Sequence, residues 1–289
     1  MILVIPDCFT LYGGSQYMDS AGTGRYEEHL IAELVPYIDS RYRTAGPAAR
    51  AVAGKSSGGF GALRLAMLHP EIFPHAACHS VDMLFEVGYS RDFAKCVSAL
   101  SKFGGSFERF LKDFKAARAK DSFPHELVNA AAMAACYSPN PRSPLGFDLP
   151  FDEYTGELRP EVWRKWKAHD PLELAQHCRA GLHKLRTVYF DCGTKDEFFL
   201  HLGARALSRR LKELGVRHEY EEHGGGHFDT ASRLDRSFAL LGQAMAGGRP
   251  LRERRTAALS GSGRRLPCED VAPWGLALRG RRPLGRRKA

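Results

Sequence analysis

Ala51-Val52-Ala53-Gly54-Lys55-Ser56-Ser57-Gly58-Gly59-Phe60 is the stretch on which the reading of this 289-residue chain turns. Three small apolar residues read as a short strand. The residues from Gly58 to Leu68 read as a helix that ends at His69-Pro70. Between them lies Gly-x-Ser-x-Gly, with Ser56 at its centre. A strand that turns sharply into a helix lifts a serine hydroxyl clear of the sheet. It also leaves the next backbone N–H, that of Ser57, free to donate to a developing oxyanion. The flanking glycines suit such a turn, because a Cβ would have no room there. Gly54-Lys55-Ser56 also spells the end of a phosphate-binding loop. That loop needs a glycine five positions before Gly54, where Ala49 stands, and residues 50–53 read as strand.

Outward from this turn, the chain alternates strands with helices. Toward the N-terminus, Ile2–Ile5 is an apolar run without alternation, as expected of a strand buried on both faces. A Gly/Ser loop through residues 13–15 follows. Residues 26–42 then carry Leu30, Leu34, Val35 and Ile38 at helical spacing. On the other side, Ala76–His79 reads as a third strand. Residues 83–183 break the pattern with helical patches at 93–100, 107–117, 126–135 and 161–166 and an irregular stretch at 138–150. They are expected to form a helical insertion packed over one end of the sheet. The alternation resumes with a strand at 187–190, a helix at 198–214, a strand at 218–222 and a helix at 230–245. Such a pattern predicts an α/β fold with a mostly parallel sheet. The expected division is 1–82 and 184–248 for the two parts of the core, 83–183 for the insertion and 249–289 for a disordered tail.

A nucleophilic serine needs a base, and the base needs an orienting acid. Both are available in the order Ser, Asp, His, each on a loop after a later strand. Asp196 lies several residues past the strand at 187–190, which favours it over Asp191 and Glu197. His227 lies on the loop before the last helix, which favours it over His223. A lone loop aspartate is most often a helix cap, so the joint order carries the argument. His223 and His227 are separated by three glycines and lack a third ligand, so a zinc site is not expected. Tyr12, Tyr17 and Trp163 are candidates to line a substrate cleft, with burial in the core as the competing fate.

On these residues the chain resembles the esterase D family of α/β-hydrolases. The resemblance covers residues 1–246. It rests on Pro6-Asp7 with Gly13–Tyr17, on Gly54–Gly59, on Gly193–Phe198 and on Gly226-His227. It implies Ser56 as nucleophile, Asp196 as acid and His227 as base. It also implies a departure. The opening strand corresponds to the fourth of the usual eight, so the N-terminal strands and the loop bearing the second oxyanion donor are expected to be absent. Cys8 or Phe9 could substitute as that donor. A sheet without those strands would expose an edge.

Composition bounds the function further. Apolar residues make up 44% of the chain and the formal charge is +9. The charge has an address: residues 251–289 hold 11 Lys/Arg against 3 Asp/Glu, leaving about +1 for the rest. A nucleic-acid-binding core is therefore not expected. No apolar stretch approaches a membrane span, and the N-terminus lacks a signal-peptide n-region. The seven cysteines contain no C-x-x-C pair. Reduced thiols and a cytoplasmic location are the expectation. The resulting expectation is a serine carboxylic-ester hydrolase without cofactor or metal. It would act on a small-molecule ester, and a homo-oligomer stays open. The alternatives are an acyltransferase with the same triad and a truncated, non-catalytic relic.

Overall fold

The computed structural model describes residues 1–247. The expectation of a disordered tail at 249–289 falls outside them. At the centre is a four-stranded sheet in the order Ala51–Lys55, His75–His79, Thr187–Gly193, Glu219–His223. Every pairing is parallel. The two inner strands are buried at every position, while the two outer strands are only partly covered. That difference follows from helices packed on both faces of a parallel sheet. The register aligns Lys55 with His79, His79 with Asp191, and Asp191 with Glu221. All four strands therefore point their C-terminal ends the same way, and the loops leaving them gather at one end of the sheet.

The crossover helices Ser57–Leu68, Leu200–Glu213 and Ala231–Met245 agree with the sequence pattern to within a few residues. Phe93–Leu100, Phe107–Ala116, His125–Tyr137 and Pro160–Lys167 are the principal helices between the strands His75–His79 and Thr187–Gly193, where the sequence predicts an insertion. Phe107–Ala116 shows why such a segment is helical. The Ser106 hydroxyl accepts the Arg109 N–H, capping the first turn. Phe107, Phe110, Leu111 and Phe114 then line one buried face. Phe60 of the first crossover helix and Phe190 of the sheet share one apolar core with Phe107, Phe110 and Trp166 of the insertion. Asp170, fully buried, fastens the insertion to itself: it accepts the N–H groups of Leu84, Phe85 and Leu172 and pairs with Lys167.

The expected strand at Ile2–Ile5 does not form. Residues 1–8 carry no strand assignment, and Met1 to Ile5 are exposed. A strand exists only as a member of a ladder, because its N–H and C=O groups need partners. Among the described residues, none pairs with the outer edge of Ala51–Lys55. Two short hairpins, Phe9–Thr10 with Gly13–Gly14 and Asp19–Ser20 with Gly24–Arg25, follow instead.

From Tyr26 to Arg41 the chain is helical throughout, with a π-helical middle at His29–Leu34. Glu27 at its start ties this run to the first crossover helix by pairing with Arg64 and His69. Burial raises the Glu27 carboxyl, but the His69 and Arg64 bonds outweigh it and hold the carboxyl at about 2. A depressed carboxyl contributes stability above its unfolded value, and that contribution is lost as pH falls through the folded value. Glu27→Gln is therefore expected to cost about 2 kcal/mol near pH 7. The gap to the unsubstituted protein should close as pH approaches 2. Urea denaturation across pH measures this, and a pH-independent gap would refute the ion-pair account.

Candidate active site

Ser56 joins the Ala51–Lys55 strand to the Ser57–Leu68 helix with φ 54° and ψ −124°. Few residues other than glycine hold such a conformation, which costs on the order of 1–3 kcal/mol. Two backbone bonds hold it there. The Ser56 N–H donates to the His79 carbonyl at 2.9 Å, and the Ser56 carbonyl accepts the Phe60 N–H at 2.9 Å. Gly54 completes the turn, since a Cβ there would lie 2.2 Å from the Gly58 carbonyl oxygen. The glycine spacing read from the sequence is thus a contact between strand end and helix start.

Asp196 and His227 meet, although 30 residues separate them in the chain. His227 Nδ1 lies 2.8 Å from Asp196 Oδ2, and both side chains are buried. The other Asp196 oxygen accepts the N–H groups of Phe198 at 2.9 Å and Leu200 at 3.4 Å. One Asp196 oxygen thus meets the imidazole, while the other receives backbone N–H groups at the start of the Leu200–Glu213 helix. Burial pushes the Asp196 carboxyl up, but the His227 bond and these two N–H donors prevail and hold it below the ordinary carboxylate range. A carboxylate at this distance favours the tautomer in which Nδ1–H donates to it, the arrangement that leaves Nε2 with a free lone pair. The edge of the His227 ring packs with Phe198 at 4.8 Å, and its backbone N–H donates to Glu197 Oε2 at 2.7 Å. Glu197, an alternative acid in the sequence, instead positions the histidine loop. The two loops touch backbone to backbone, for a Cβ on Gly193 would lie 2.2 Å from the Gly225 carbonyl oxygen.

The loop of Ser56 is held beside that of His227. Lys55 Nζ lies 4.7 Å from the centre of the Phe228 ring. Ser57 Oγ donates to Asp82 Oδ2 at 3.5 Å, and Asp82 in turn feels the charge of His227. Among the described residues, Ser56 Oγ and His227 are not joined by a hydrogen bond, a common state before substrate binds.

Asp191 belongs to a different array. Its Oδ1 lies 2.8 Å from His79 Nδ1, and His79 Nε2 lies 3.0 Å from Ser237 Oγ. The types and order resemble a catalytic triad, yet all three residues are buried to 1% exposure or less. Asp191 also receives the Tyr189 hydroxyl and the Arg233 guanidinium. This array clamps the last helix to the sheet and offers no path to a substrate.

The other candidates are distributed as follows. Tyr17 lies along the first turns of the Ser57–Leu68 helix, close to Gly58 and Gly61. Tyr12 packs on Phe114 and Phe147, and Trp163 on Phe93 and Trp166. Cys8 is buried, and the Phe9 N–H is taken by Asp7 Oδ1 at 3.1 Å, so Phe9 is not a ready donor. Asp82, three residues beyond its strand, went unremarked in the sequence. Its place after the strand His75–His79, at the same sheet end as Ser56, was the available signal. Cys8, Cys78, Cys96, Cys136 and Cys192 are free thiols, all of them buried. No helix among the described residues is long and apolar enough to cross a membrane.

A parallel sheet flanked by helices, with a strand–serine–helix turn and an Asp–His pair gathered at its C-terminal end, has the architecture of the α/β-hydrolase fold. The chain belongs to the family described as "Putative esterase", whose model matches residues 15–235. It is 36% identical to Esterase Rv1288 of Mycobacterium tuberculosis over 109 residues. That match takes in 36% of this chain and 24% of the relative, so the chain aligns with about a quarter of that protein's length. Among solved structures it is similar to a ferulic acid esterase at 19% identity, over 79% of this chain and 64% of that one, with TM-score 0.47. It is also similar to Mycobacterium tuberculosis MPT51 at 17% identity, over 81% of this chain and 73% of that one, with TM-score 0.47.

Proposed function

We propose that the protein is a serine carboxylic-ester hydrolase that works through an acyl-enzyme on Ser56. The observation that carries this reading is the buried Asp196–His227 pair at 2.8 Å, on a loop held against the loop of a strained serine turn. Membership of an esterase family supports it.

In this reading the ester carbonyl sits over Ser56, at the N-terminus of the Ser57–Leu68 helix. His227 Nε2 takes the Ser56 proton as Oγ bonds to the carbonyl carbon. Asp196 accepts the Nδ1 proton in a hydrogen bond and stabilises the imidazolium. The Ser57 N–H, unpaired by its place in the first helical turn, faces the oxyanion. Collapse of the tetrahedral species expels the alcohol, which takes the proton from His227. Water then enters and gives a proton to His227 as its oxygen bonds to the acyl carbon; the Ser56 Oγ–carbon bond breaks, the acid leaves, and Oγ takes the proton back from His227. The backbone strain at Ser56 holds Oγ in place for both steps, so little is spent on reorientation.

A fluorophosphonate probe tests the reading directly. Intact-mass analysis should show one adduct, and peptide mapping should place it on Ser56. Folded protein that takes up no label would sink the proposal in favour of a non-catalytic relic. The acyltransferase alternative has no particular observation in its favour. It would show as ester product formed in place of free acid when an alcohol is added.

A further inference from the structure

Asp196 Oδ2, the oxygen that meets His227 Nδ1 at 2.8 Å, has a second neighbour. Cys192 Sγ lies 3.6 Å from the same oxygen, and the sulfur also lies 3.7 Å from Ser80 Oγ. Cys192 and Ser80 are both fully buried. Cys192 stands near the end of the strand Thr187–Gly193 and Ser80 follows the strand His75–His79, at the sheet end where Ser56 and His227 stand.

The hydrogens available fix the direction of both contacts. An ionised carboxylate only accepts, so the one thiol hydrogen goes to Asp196, and the Ser80 hydroxyl donates to sulfur. Burial, and then the charge of Asp196, push the Cys192 thiol up to about 12, so it keeps its hydrogen at neutral pH. Ser80 holds φ 45°, a left-handed conformation that is costly for a residue other than glycine. Its N–H donates to the Asp191 carbonyl at 2.9 Å, which ties it to the strand of Cys192 and carries its hydroxyl to the sulfur. A second donor on Asp196 Oδ2 has a chemical consequence. Negative charge engaged by the thiol is withdrawn from the imidazole, which makes His227 less basic.

We propose that Cys192, braced by Ser80, is a positioning residue that shares Asp196 Oδ2 with His227 and thereby sets the basicity of the histidine. This rests on the reading of Ser56, Asp196 and His227 as the triad.

Other charged and titratable groups face the pair. Asp82 acts on His227 from the loop after the strand His75–His79, and Glu197 takes the His227 N–H. Asp229 binds the Gly226 N–H in the histidine loop, and Lys55 lies over Phe228. Asp191 and Tyr220 lie near Cys192 on its own strand and the adjacent one. A substitution at Cys192 leaves all of them in place, so a difference between variants reports the thiol.

The rate at which a fluorophosphonate probe labels Ser56, followed across pH, reads that basicity, because attack needs neutral His227. In Cys192→Ala the donor is lost, and the midpoint of the acid limb should rise by about 0.5 pH units. In Cys192→Ser a stronger O–H donor replaces S–H, and the midpoint should return to the unsubstituted value or pass below it. Ser80→Ala leaves the thiol in place but unbraced. It should move the midpoint the same way as Cys192→Ala by less, and it carries the test if Cys192→Ala does not fold. Lost packing alone would slow labelling in both Cys192 variants without separating their midpoints. An unshifted or lowered midpoint in the alanine variants, or a Cys192→Ser midpoint that rises with them, overturns the inference. Absence of labelling in the folded, unsubstituted protein overturns the triad reading itself, and this inference with it.

Discussion

Ser56→Ala should lower kcat/KM for a short-chain aryl ester by about 10⁴–10⁶-fold, leaving only what binding and the oxyanion donor supply. Alanine retains the Cβ and the positive φ, so the turn that holds residue 56 is unchanged in its backbone bonds to His79 and Phe60. Thermal unfolding should accordingly stay within a few degrees of the parent. This combination separates chemistry from folding. A variant that keeps a tenth of the activity would show that another nucleophile works. The buried Ser237 is a poor candidate, because neither it nor its His79 partner reaches solvent. Steady-state kinetics with a chromogenic ester, alongside thermal denaturation, supplies both readouts.

Asp196→Asn should cost about 10³–10⁴ in kcat with little change in KM. An asparagine amide offers Nδ1 either a donor or a weaker, neutral acceptor. The His227 ring then loses the charge that fixes its tautomer and supports the imidazolium. The same substitution predicts a pH signature in stability. The Asp196 carboxyl is held below the ordinary range, so the pair stabilises the fold above the unfolded carboxylate value and ceases to do so as pH falls through the folded value. The variant should therefore be less stable than the parent at neutral pH and converge with it in acid. Full activity in Asp196→Asn would transfer the role of acid elsewhere, with Glu197 and Asp82 the next carboxylates to test.

The legible parts of the site share a property. Gly54-x-Ser56-x-Gly58 can be read because its constraint is local: the Cβ excluded at Gly54 would strike an atom four residues away. Asp196 and His227 can be read because each leaves the end of its own strand, and parallel strands bring such ends together whatever lies between. The inserted helices are visible through apolar spacing, as in Phe107, Phe110, Leu111 and Phe114.

What the linear chain could not decide depends on neighbours that it does not encode locally. Ile2–Ile5 has the composition of a buried strand, yet a strand requires a partner edge, and the fold offers it none among the described residues. Asp191 and Asp196 are five residues apart and chemically identical. Only the direction in which each leaves the sheet assigns one to the buried His79 clamp and the other to the His227 ring. Asp82 is one carboxylate among many in sequence. Only in space does it receive the Ser57 hydroxyl and come under the pull of the His227 imidazole, from two separate segments. The sequence by itself determined the class of fold and singled out the candidate residues that the fold brings to one end of the sheet, because strand order, glycine exclusion and helical periodicity are local or topological. The tertiary structure alone decided which charges are compensated, because compensation is a matter of distance in space.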